Sequence, residues 1–173
     1  MTIYNFCSNC GSPLSTNKLN VPTCASCNIS YYQNSKPTAG VLPVKDGMVL
    51  LSRRGEEPNI GSIDIIGGFL EEGEHPEVGA IREAKEETGL DIKITDFLCI
   101  LMDTYQVGNY AIQNTYYIGE IVGGKMKPMD DVASLEWVPI NKLPLVSGFS
   151  NVTEALSRLK KWHQSHQSTS LPQ

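Results

Sequence analysis

GGFLEEGEHPEVGAIREAKEETGL, residues 67–90, is the most informative segment of the chain. Two of its residues frame a helix. Pro76 suits the first helical turn, and Gly89 suits the position that follows the last one. The segment therefore predicts a helix over residues 76–88, with a dense run of charge toward its C-terminal end.

This helix places three carboxylates close together. Glu83, Glu86 and Glu87 are spaced i, i+3 and i+4, so they share about 100° of arc. Like charges at that spacing destabilise a helix by roughly 0.2–0.5 kcal/mol per pair. Arg82 could partner them on a solvated face, whereas Lys85 falls on the opposite, apolar side. Because hard divalent cations remove the repulsion and prefer carboxylate oxygens, a Mg²⁺ or Mn²⁺ site is the better interpretation.

The other side of the same helix is expected to face the core. Val78, Ala80, Ile81 and Ala84 share that side of the helical wheel. Gly79 lies within the acidic arc, where glycine is about 1 kcal/mol less favourable than alanine. We expect its missing side chain to leave room for a ligand beside the backbone.

Composition limits the class of protein. The chain has 173 residues, of which 40% are hydrophobic and 19% charged, as in an ordinary globular protein with one main domain. A net charge of −5 disfavours general nucleic-acid or membrane-surface binding, since both need basic patches. No apolar run approaches the roughly 18 residues that span a bilayer, and the N-terminus does not resemble a signal peptide. We predict a cytoplasmic protein without a membrane partner.

Four cysteines near the N-terminus have the spacing of a zinc site. They form two Cys-x-x-Cys pairs, Cys7 with Cys10 and Cys24 with Cys27. Each pair can aim two thiolates at one point, and two pairs complete a tetrahedron. Disulfides are typical of exported chains, and a redox Cys-x-x-Cys usually occurs alone. We therefore predict structural Zn²⁺ in a small domain at residues 1–34.

The middle of the chain predicts strands. Asp46-Gly47 separates two apolar runs and is a strong signal for a two-residue hairpin. Cys99 lies in another apolar run and is expected in the core. Further strands are expected at residues 92–102, 115–122 and 135–139.

The C-terminal part predicts one more helix. Apolar residues at helical spacing indicate an amphipathic helix over 150–163, with Ser150 as its N-terminal cap. The polar residues 164–173 are expected to form a flexible tail.

Residues 67–90 resemble the Nudix box of the Nudix hydrolases. That pattern fixes a glycine, a glutamate, Arg-Glu, an apolar residue, Glu-Glu, a second glycine and a final apolar residue. These positions are met by Gly68, Glu74, Arg82, Glu83, Ala84, Glu86, Glu87, Gly89 and Leu90. The N-terminal piece is similar to the zinc ribbon that precedes some Nudix domains. We therefore place a Nudix hydrolase domain at residues 38–163.

The resemblance implies an α/β/α sandwich with a mixed sheet, preceded by a zinc ribbon. It implies Mg²⁺- or Mn²⁺-dependent cleavage of a nucleoside diphosphate linked to another moiety, such as ADP-ribose, FAD or a similar dinucleotide. The metal ligands it implies are Glu83, Glu86 and Glu87, assisted by the Gly67-Gly68 backbone. Glu74 and Arg82 are implied to orient the cluster.

Other residues of the site are less closely fixed by the pattern. We take Arg54 as a candidate phosphate-binding residue. Four tyrosines could stack on an adenine or flavin ring, namely Tyr105, Tyr110, Tyr116 and Tyr117. The general base varies among Nudix proteins, and the candidates are Glu83, Glu86, Asp130, Asp131 and Glu136. NADH is disfavoured as a substrate, because the Ser-Gln-Pro-Trp-type motif of NADH pyrophosphatases is missing after the box.

Two other functions remain open. The first is a non-catalytic Nudix-like regulator that binds a nucleotide, although the intact glutamates argue against it. The second is an enzyme that processes capped RNA 5′ ends, including NAD caps. Lys18 is the only charged residue in the predicted ribbon, which argues against RNA because phosphate contacts normally need Lys or Arg. A homodimer is also open, since many Nudix proteins are dimers.

Overall fold

The computed structural model describes residues 4–143 and 148–168. The chain divides between Ser35 and Lys36 into two compact units. In the described part of the chain, no helix combines the length and the apolar character needed to cross a membrane.

The smaller unit is a three-stranded antiparallel sheet that carries the four paired cysteines. Its strands are β1 (Ser15–Thr16), β2 (Pro22–Cys24) and β3 (Ile29–Ser30). The first Cys-x-x-Cys turn is closed by the Gly11 amide, which donates to the Cys7 carbonyl at 2.8 Å. Cys7 and Cys24 are buried, so thiols occupy the centre where a larger domain would place aliphatic side chains.

The larger unit is built on one mixed sheet. Its elements are β4 (Lys36–Lys45), β5 (Met48–Arg54), β6 (Ile63–Asp64), β7 (Ile66–Phe69), α1 (Pro76–Thr88), β8 (Leu90–Tyr105), β9 (Tyr110–Gly124), β10 (Val132–Pro139), a 3-10 turn (Ile140–Lys142) and α2 (Ser150–Ser168). The strand order is β10-β5-β4-β9-β8, with β6 beside β5 and β7 beside β4. Only β4 and β9 run parallel among the described pairs. The expected mixed sheet is confirmed.

The predicted hairpin joins β4 to β5. Lys45 lies opposite Met48, and the two residues between them have positive φ, 50° at Asp46 and 73° at Gly47. A turn of this kind requires that conformation at both positions, which Asp and Gly tolerate best.

Helices cover both faces of the sheet. Successive strand residues point to opposite sides, so each strand contributes side chains to the buried cluster on either face. Val41 and Leu50 pack with Ala80 of α1, in one buried cluster. The next residues in the sequence, Leu42 and Leu51, belong to a second buried cluster. This cluster also contains Leu156 of α2 and Cys99 of β8. The expected α/β/α sandwich and the burial of Cys99 are confirmed.

The predicted bounds of α1 are correct, but its predicted inner face is wrong in part. Ala80 and Ala84 are fully buried, whereas Val78 is 57% exposed and Ile81 is 37% exposed. The buried side also contains Glu87. Small side chains let the helix lie close to the sheet, and this approach carries the Glu87 carboxyl into the interior.

The C-terminal helix differs from the prediction at both ends. Asp103 caps its first turn, since one carboxylate oxygen accepts from the Ser150 hydroxyl at 2.9 Å and from the Asn151 amide at 3.1 Å. A charged acceptor on the adjacent strand β8 replaces Ser150 as the cap. The helix continues to Ser168, so the tail predicted from 164 is wrong for residues 164–168. Residues 169–173 of that predicted tail lie outside the described residues.

Candidate active site

A cavity of about 340 Å³ opens in the larger unit, where β4, β6 and β7 meet the helix α1 and the start of α2. Five carboxylate residues line it: Asp64, Glu83, Glu87, Asp130 and Asp131. Arg54 is the only Lys or Arg among its described lining residues. The cavity therefore gathers negative charge without matching positive charge.

Two box glutamates reach the cavity through the close approach of α1 to β7. Glu87 is buried, and one of its oxygens accepts from the Gly67 amide at 3.2 Å. A Cβ atom on Gly68 would lie 2.5 Å from Oε1 of Glu83. Glycine at 68 is thus required, because any side chain there would displace the Glu83 carboxylate.

The electrostatics of this pair favour a cation. Burial, together with the nearby charges of Asp131 and Glu83, raises the pKa of Glu87 to about 9. Burial also raises the pKa of Glu83, and the charges of Glu86 and Asp130 act in the same direction. Carboxylate oxygens are the hard donors that Mg²⁺ and Mn²⁺ prefer. The donor set fits the divalent metal that the Nudix pattern implies.

Arg82 organises the acidic cluster from its solvent side. Its Nε and Nη2 atoms donate to the two oxygens of Glu74 at 2.8 and 2.9 Å. Its Nη1 donates to Glu83 and to Glu86, both at 2.9 Å. The bidentate bond lowers the pKa of Glu74 to about 2, so Glu74 stays ionised and anchors the guanidinium. The orienting roles expected of Glu74 and Arg82 stay predictions.

Arg82→Lys is expected to weaken metal use while leaving the fold intact. A lysine cannot hold Glu74 at two points and also reach Glu83, because its ammonium is a single point charge. We expect the Mg²⁺ concentration for half-maximal activity to rise about 10- to 100-fold, as for other residues that orient metal ligands. Steady-state rates over a Mg²⁺ series measure this. Arg158→Lys, which alters an exposed pair with Glu154 on α2, is the control and should leave the Mg²⁺ requirement unchanged.

Glu86 and Glu136 lie away from the cavity. Glu86 is 53% exposed and bonded to Arg82, so the three box glutamates do not converge on one point. Among the described residues, the only group of three or more His, Cys, Asp or Glu residues close enough to share an ion is the cysteine group. Glu136 pairs with Arg53 at 2.8 Å. Of the candidate bases outside the box, the structure brings only Asp130 and Asp131 to the cavity.

Arg54 lines the cavity but is already paired. Its guanidinium lies 3.2 Å from Asp64 and 3.4 Å from Asp131, and its Nε donates to the Pro58 carbonyl at 2.9 Å. It also lies over the Phe149 ring, 5.5 Å from the centroid. Arg54 is thus held in place at the cavity wall, as a phosphate-binding residue would need to be.

The four candidate tyrosines divide into two groups. Tyr105 and Tyr116 line the cavity, and Tyr105 meets the Phe69 ring edge-on at 5.5 Å. Tyr110 packs behind Tyr105, with the Lys36 ammonium 4.4 Å from its ring centroid. Tyr117 packs in the core beneath α1. Stacking on a base is therefore open to Tyr105 and Tyr116 only.

Several lining residues were not predicted from sequence. Asp64 stands three residues before the box, and its proximity to the box was a signal that could have been used. Asn114, Phe149 and Asn151 carry no local signal. They reach the cavity because β9 and α2 return to β4 across long sequence separations.

Gly79 does not leave room for a ligand. A Cβ atom there would collide with the Leu70 side chain and would lie 2.9 Å from a Glu74 oxygen. The space beside this glycine is filled by the segment that leads from β7 into α1. The expectation that Gly79 leaves room for a ligand is therefore wrong, because Leu70 and Glu74 occupy that space.

Gly79→Ala is expected to destabilise the protein, although alanine is the better helix former by about 1 kcal/mol. Overpacking against Leu70 and Glu74 should lower the free energy of unfolding by roughly 1–3 kcal/mol. Urea unfolding measures the difference. Val78→Ala, at the exposed neighbouring position, should change that free energy by no more than about 0.5 kcal/mol. A stabilised Gly79→Ala variant would contradict the packing described here.

The four cysteines of the smaller unit form one group. All four are free thiols, and their sulfur atoms lie within 4.8 Å of one another. Zinc bound about 2.3 Å from each sulfur would place the sulfurs about 3.8 Å apart, and Cys10 and Cys24 are separated by 3.6 Å. The Tyr31 hydroxyl, 3.1 Å from Cys7, lowers the pKa of that thiol to about 6. The group is compatible with a zinc ribbon.

Comparison with known proteins agrees with this fold. The NUDIX domain model matches residues 34–162, and the chain belongs to that family. An ADP-ribose pyrophosphatase of Methanocaldococcus jannaschii is 34% identical over 100 residues, which cover 58% of this chain and 59% of that protein. An NAD-capped RNA hydrolase NudC of Stutzerimonas stutzeri is 24% identical over 163 residues, covering 90% of this chain and 55% of that protein. The chain thus spans little more than half the length of these relatives.

One solved structure extends the likeness in fold to most of the chain. The crystal structure of a NUDIX hydrolase from Nitrosomonas europaea superposes with a TM-score of 0.80 at 21% identity. The match covers 94% of this chain and 93% of that one.

Proposed function

We propose that this protein is a Mg²⁺- or Mn²⁺-dependent hydrolase that cleaves the pyrophosphate bond of a nucleoside diphosphate linked to another moiety. One observation carries the proposal: Glu83 and Glu87 enter one cavity with Asp130 and Asp131, and Arg54 is the only described Lys or Arg that lines it. A cluster with this excess of carboxylates needs cations to balance its charge. Divalent ions bound there would in turn hold the phosphate oxygens of a pyrophosphate.

The reaction consumes one water molecule and no organic cofactor. Water attacks one phosphorus, the bond between that phosphorus and the bridging oxygen breaks, and the second phosphate leaves with the bridging oxygen. ADP-ribose would give AMP and ribose 5-phosphate. Bound Mg²⁺ or Mn²⁺ would neutralise phosphate charge and lower the pKa of the attacking water.

The roles of the chain's own residues follow from their positions. Glu83 and Glu87 would hold the metal, with the Gly67-Gly68 backbone beside them. Glu86 would join as a third ligand by turning from Arg82 toward the cavity. Asp130 and Asp131 are the best placed of the candidate bases outside the box, because both line the cavity with the two glutamates.

ADP-ribose is the substrate that we favour. The support is the likeness to the ADP-ribose pyrophosphatase of Methanocaldococcus jannaschii, which is 34% identical over 100 residues. Tyr105, Tyr116 and Phe149 add aromatic surface to the cavity, which suits a nucleobase. FAD and other adenine dinucleotides share the bond to be cleaved and remain in the same class.

Turnover of a nucleotide panel tests the proposal. ADP-ribose, FAD, NADH and a dinucleoside polyphosphate are incubated with the protein and Mg²⁺, and again with excess chelator. We expect metal-dependent release of a nucleoside monophosphate, fastest from ADP-ribose. Tight nucleotide binding without hydrolysis of any member would favour a non-catalytic regulator instead.

A second candidate is hydrolysis of NAD-capped RNA. The observation in its favour is that the NudC relative aligns with 90% of the chain, which is more than the larger unit alone could supply. The chemistry is the same cleavage of a pyrophosphate. NAD-capped RNA added to the panel decides between them: release of a 5′-monophosphate RNA faster than ADP-ribose hydrolysis would make RNA the preferred substrate.

We also propose that the cysteine group binds Zn²⁺ and stabilises residues 1–34. Free thiols at tetrahedral spacing support this identity. A cytoplasmic location and a homodimer stay predictions.

A further inference from the structure

The end of the cavity lined by α2 contains a polar pair that the chemistry of pyrophosphate cleavage does not use. The Asn151 side-chain amide donates to the Tyr116 hydroxyl at 2.7 Å. Asn151 is only 7% exposed, and its Oδ1 atom is buried without a hydrogen-bond partner among the described residues. Both residues line the cavity. An unpaired buried acceptor of this kind destabilises the free protein.

Beyond the hydrogen bond that joins the two residues, the pair offers at least one donor and one acceptor in either orientation of the amide. As placed, Oδ1 of Asn151 is the free acceptor and the Tyr116 hydroxyl proton is the free donor. If the amide rotates by half a turn, the tyrosine donates to Oδ1, which leaves an N–H donor on Asn151 and an acceptor lone pair on Tyr116. The pair thus keeps one donor and one acceptor, and rotation of the amide exchanges their positions.

Asn151 is held firmly enough to present this pattern to a ligand. Asp103 accepts from the backbone amide of Asn151 at 3.1 Å, which fixes the first turn of α2. Gly40 is the neighbour of Tyr116 on the adjacent strand β4, and a Cβ atom there would lie 3.2 Å from the Tyr116 ring, so the ring packs closely over the backbone of Gly40. The Asn151–Tyr116 pair therefore occupies a fixed place in the cavity wall.

The rest of the cavity indicates which kind of group could meet them. The metal-binding carboxylates occupy the part formed by α1 and β7, and the aromatic rings of Tyr105 and Phe149 also line the cavity. A group that meets the pair must be planar, must suit an aromatic wall and must carry an N–H donor next to an acceptor. The edge of adenine, with its 6-amino group beside a ring nitrogen, has these properties.

We propose that Asn151 and Tyr116 recognise the donor–acceptor edge of the substrate's nucleobase, and so determine which nucleotides bind productively. The proposal rests on the proposed function, since it assigns the base-binding part of the same cavity. If the pair served only to hold α2 against β9, the affinity for the substrate would not depend on the identity of the base.

A series of substrates tests the proposal on the unaltered protein. The series consists of ADP-ribose, its hypoxanthine counterpart and its counterpart with an unsubstituted purine. At the edge formed by N1 and the 6-substituent, hypoxanthine exchanges the positions of donor and acceptor. Rotation of the Asn151 amide accommodates this exchange, so KM should stay within a few-fold. The unsubstituted purine lacks the N–H donor, and its KM should rise about 10- to 100-fold because a buried acceptor stays unpaired.

Asn151→Leu supplies the matching change in the protein. KM for ADP-ribose should rise about 10-fold or more with kcat within a few-fold, and the discrimination against the unsubstituted purine should disappear. Asn141→Leu, at an exposed position outside this cavity, is the control and should change neither value. Should Asn151→Leu fail to fold, the substrate series on the unaltered protein decides alone.

A binding experiment separates this proposal from the proposed function. AMP and the monophosphate of the unsubstituted purine are titrated calorimetrically into the unaltered protein in the presence of chelator, where no hydrolysis can occur. Tighter binding of AMP supports base recognition even if no nucleotide is hydrolysed. Equal affinities, no binding of either nucleotide, or unchanged discrimination in Asn151→Leu would overturn it.

Discussion

Glu87→Gln is expected to lower kcat for ADP-ribose about 10³-fold or more, which is the largest effect of any single substitution in the larger unit. Glutamine keeps the size of the side chain and can still accept from the Gly67 amide, so the fold should persist. What it removes is a buried charge that a divalent cation needs, and such a ligand accounts for several kcal/mol of transition-state stabilisation. Single-turnover and steady-state rates at saturating Mg²⁺ measure the loss.

The same variant has a second readout that does not depend on turnover. Without metal, replacing the buried Glu87 carboxyl by a neutral amide should leave Tm unchanged or raise it. Added Mg²⁺ or Mn²⁺ should raise Tm of the unaltered protein and have much less effect on Glu87→Gln. Glu77→Gln, on the exposed first turn of the same helix, is the control for both readouts. Full activity of Glu87→Gln would show that the Glu87 carboxylate is not needed for metal binding or catalysis.

Cys24→Ser is expected to release zinc and unfold residues 4–35. Cys24 is fully buried, and the smaller unit has too few apolar residues to fold on a core of its own. Structural zinc contributes about 10–16 kcal/mol to the folding of small domains at neutral pH. Metal analysis should find about one zinc per chain in the unaltered protein and little in the variant. Limited proteolysis should then cut the variant within residues 4–35.

Cys99→Ala is the matched control, because Cys99 lies in the core of the larger unit. It should keep the zinc content while lowering the stability of that unit through a small cavity. A folded, zinc-free protein or disulfides detected by mass spectrometry would contradict the zinc assignment. So would a Cys24→Ser variant that retains a full equivalent of zinc.

The features that were predictable from sequence are those set by local chemistry. Pro76 and Gly89 gave the bounds of α1, because a missing amide and a left-handed conformation each suit one end of a helix. Asp46 and Gly47 gave the hairpin for a similar reason. The cysteine spacing gave the thiol group, since two tight turns suffice to bring four sulfurs together.

The features that escaped prediction depend on contacts between distant segments. A helical wheel placed Val78 and Ile81 in the core, but the sheet accepts only the small side of α1, so both are exposed. Asp103 replaced Ser150 as a cap because β8 ends beside α2, which no local pattern reveals. Asn151 reached the cavity for the same reason.

The acidic helix illustrates both cases. Its three glutamates were correctly expected to be unfavourable together, yet the structure separates them by environment. Glu87 is buried, Glu83 is in the cavity wall, and Glu86 is exposed and bonded to Arg82. The wheel gives the angular spacing of these residues, while the depth of each depends on how closely α1 approaches β7.

In the proposed reaction, water attacks a pyrophosphate phosphorus in this cavity. The most direct test is hydrolysis of ADP-ribose in ¹⁸O-labelled water with Mg²⁺, followed by mass spectrometry of the products. We expect AMP and ribose 5-phosphate in equal amounts, with one ¹⁸O atom in the phosphate of one of them. Release of ADP and free ribose, or the absence of any labelled product at saturating metal, would contradict it.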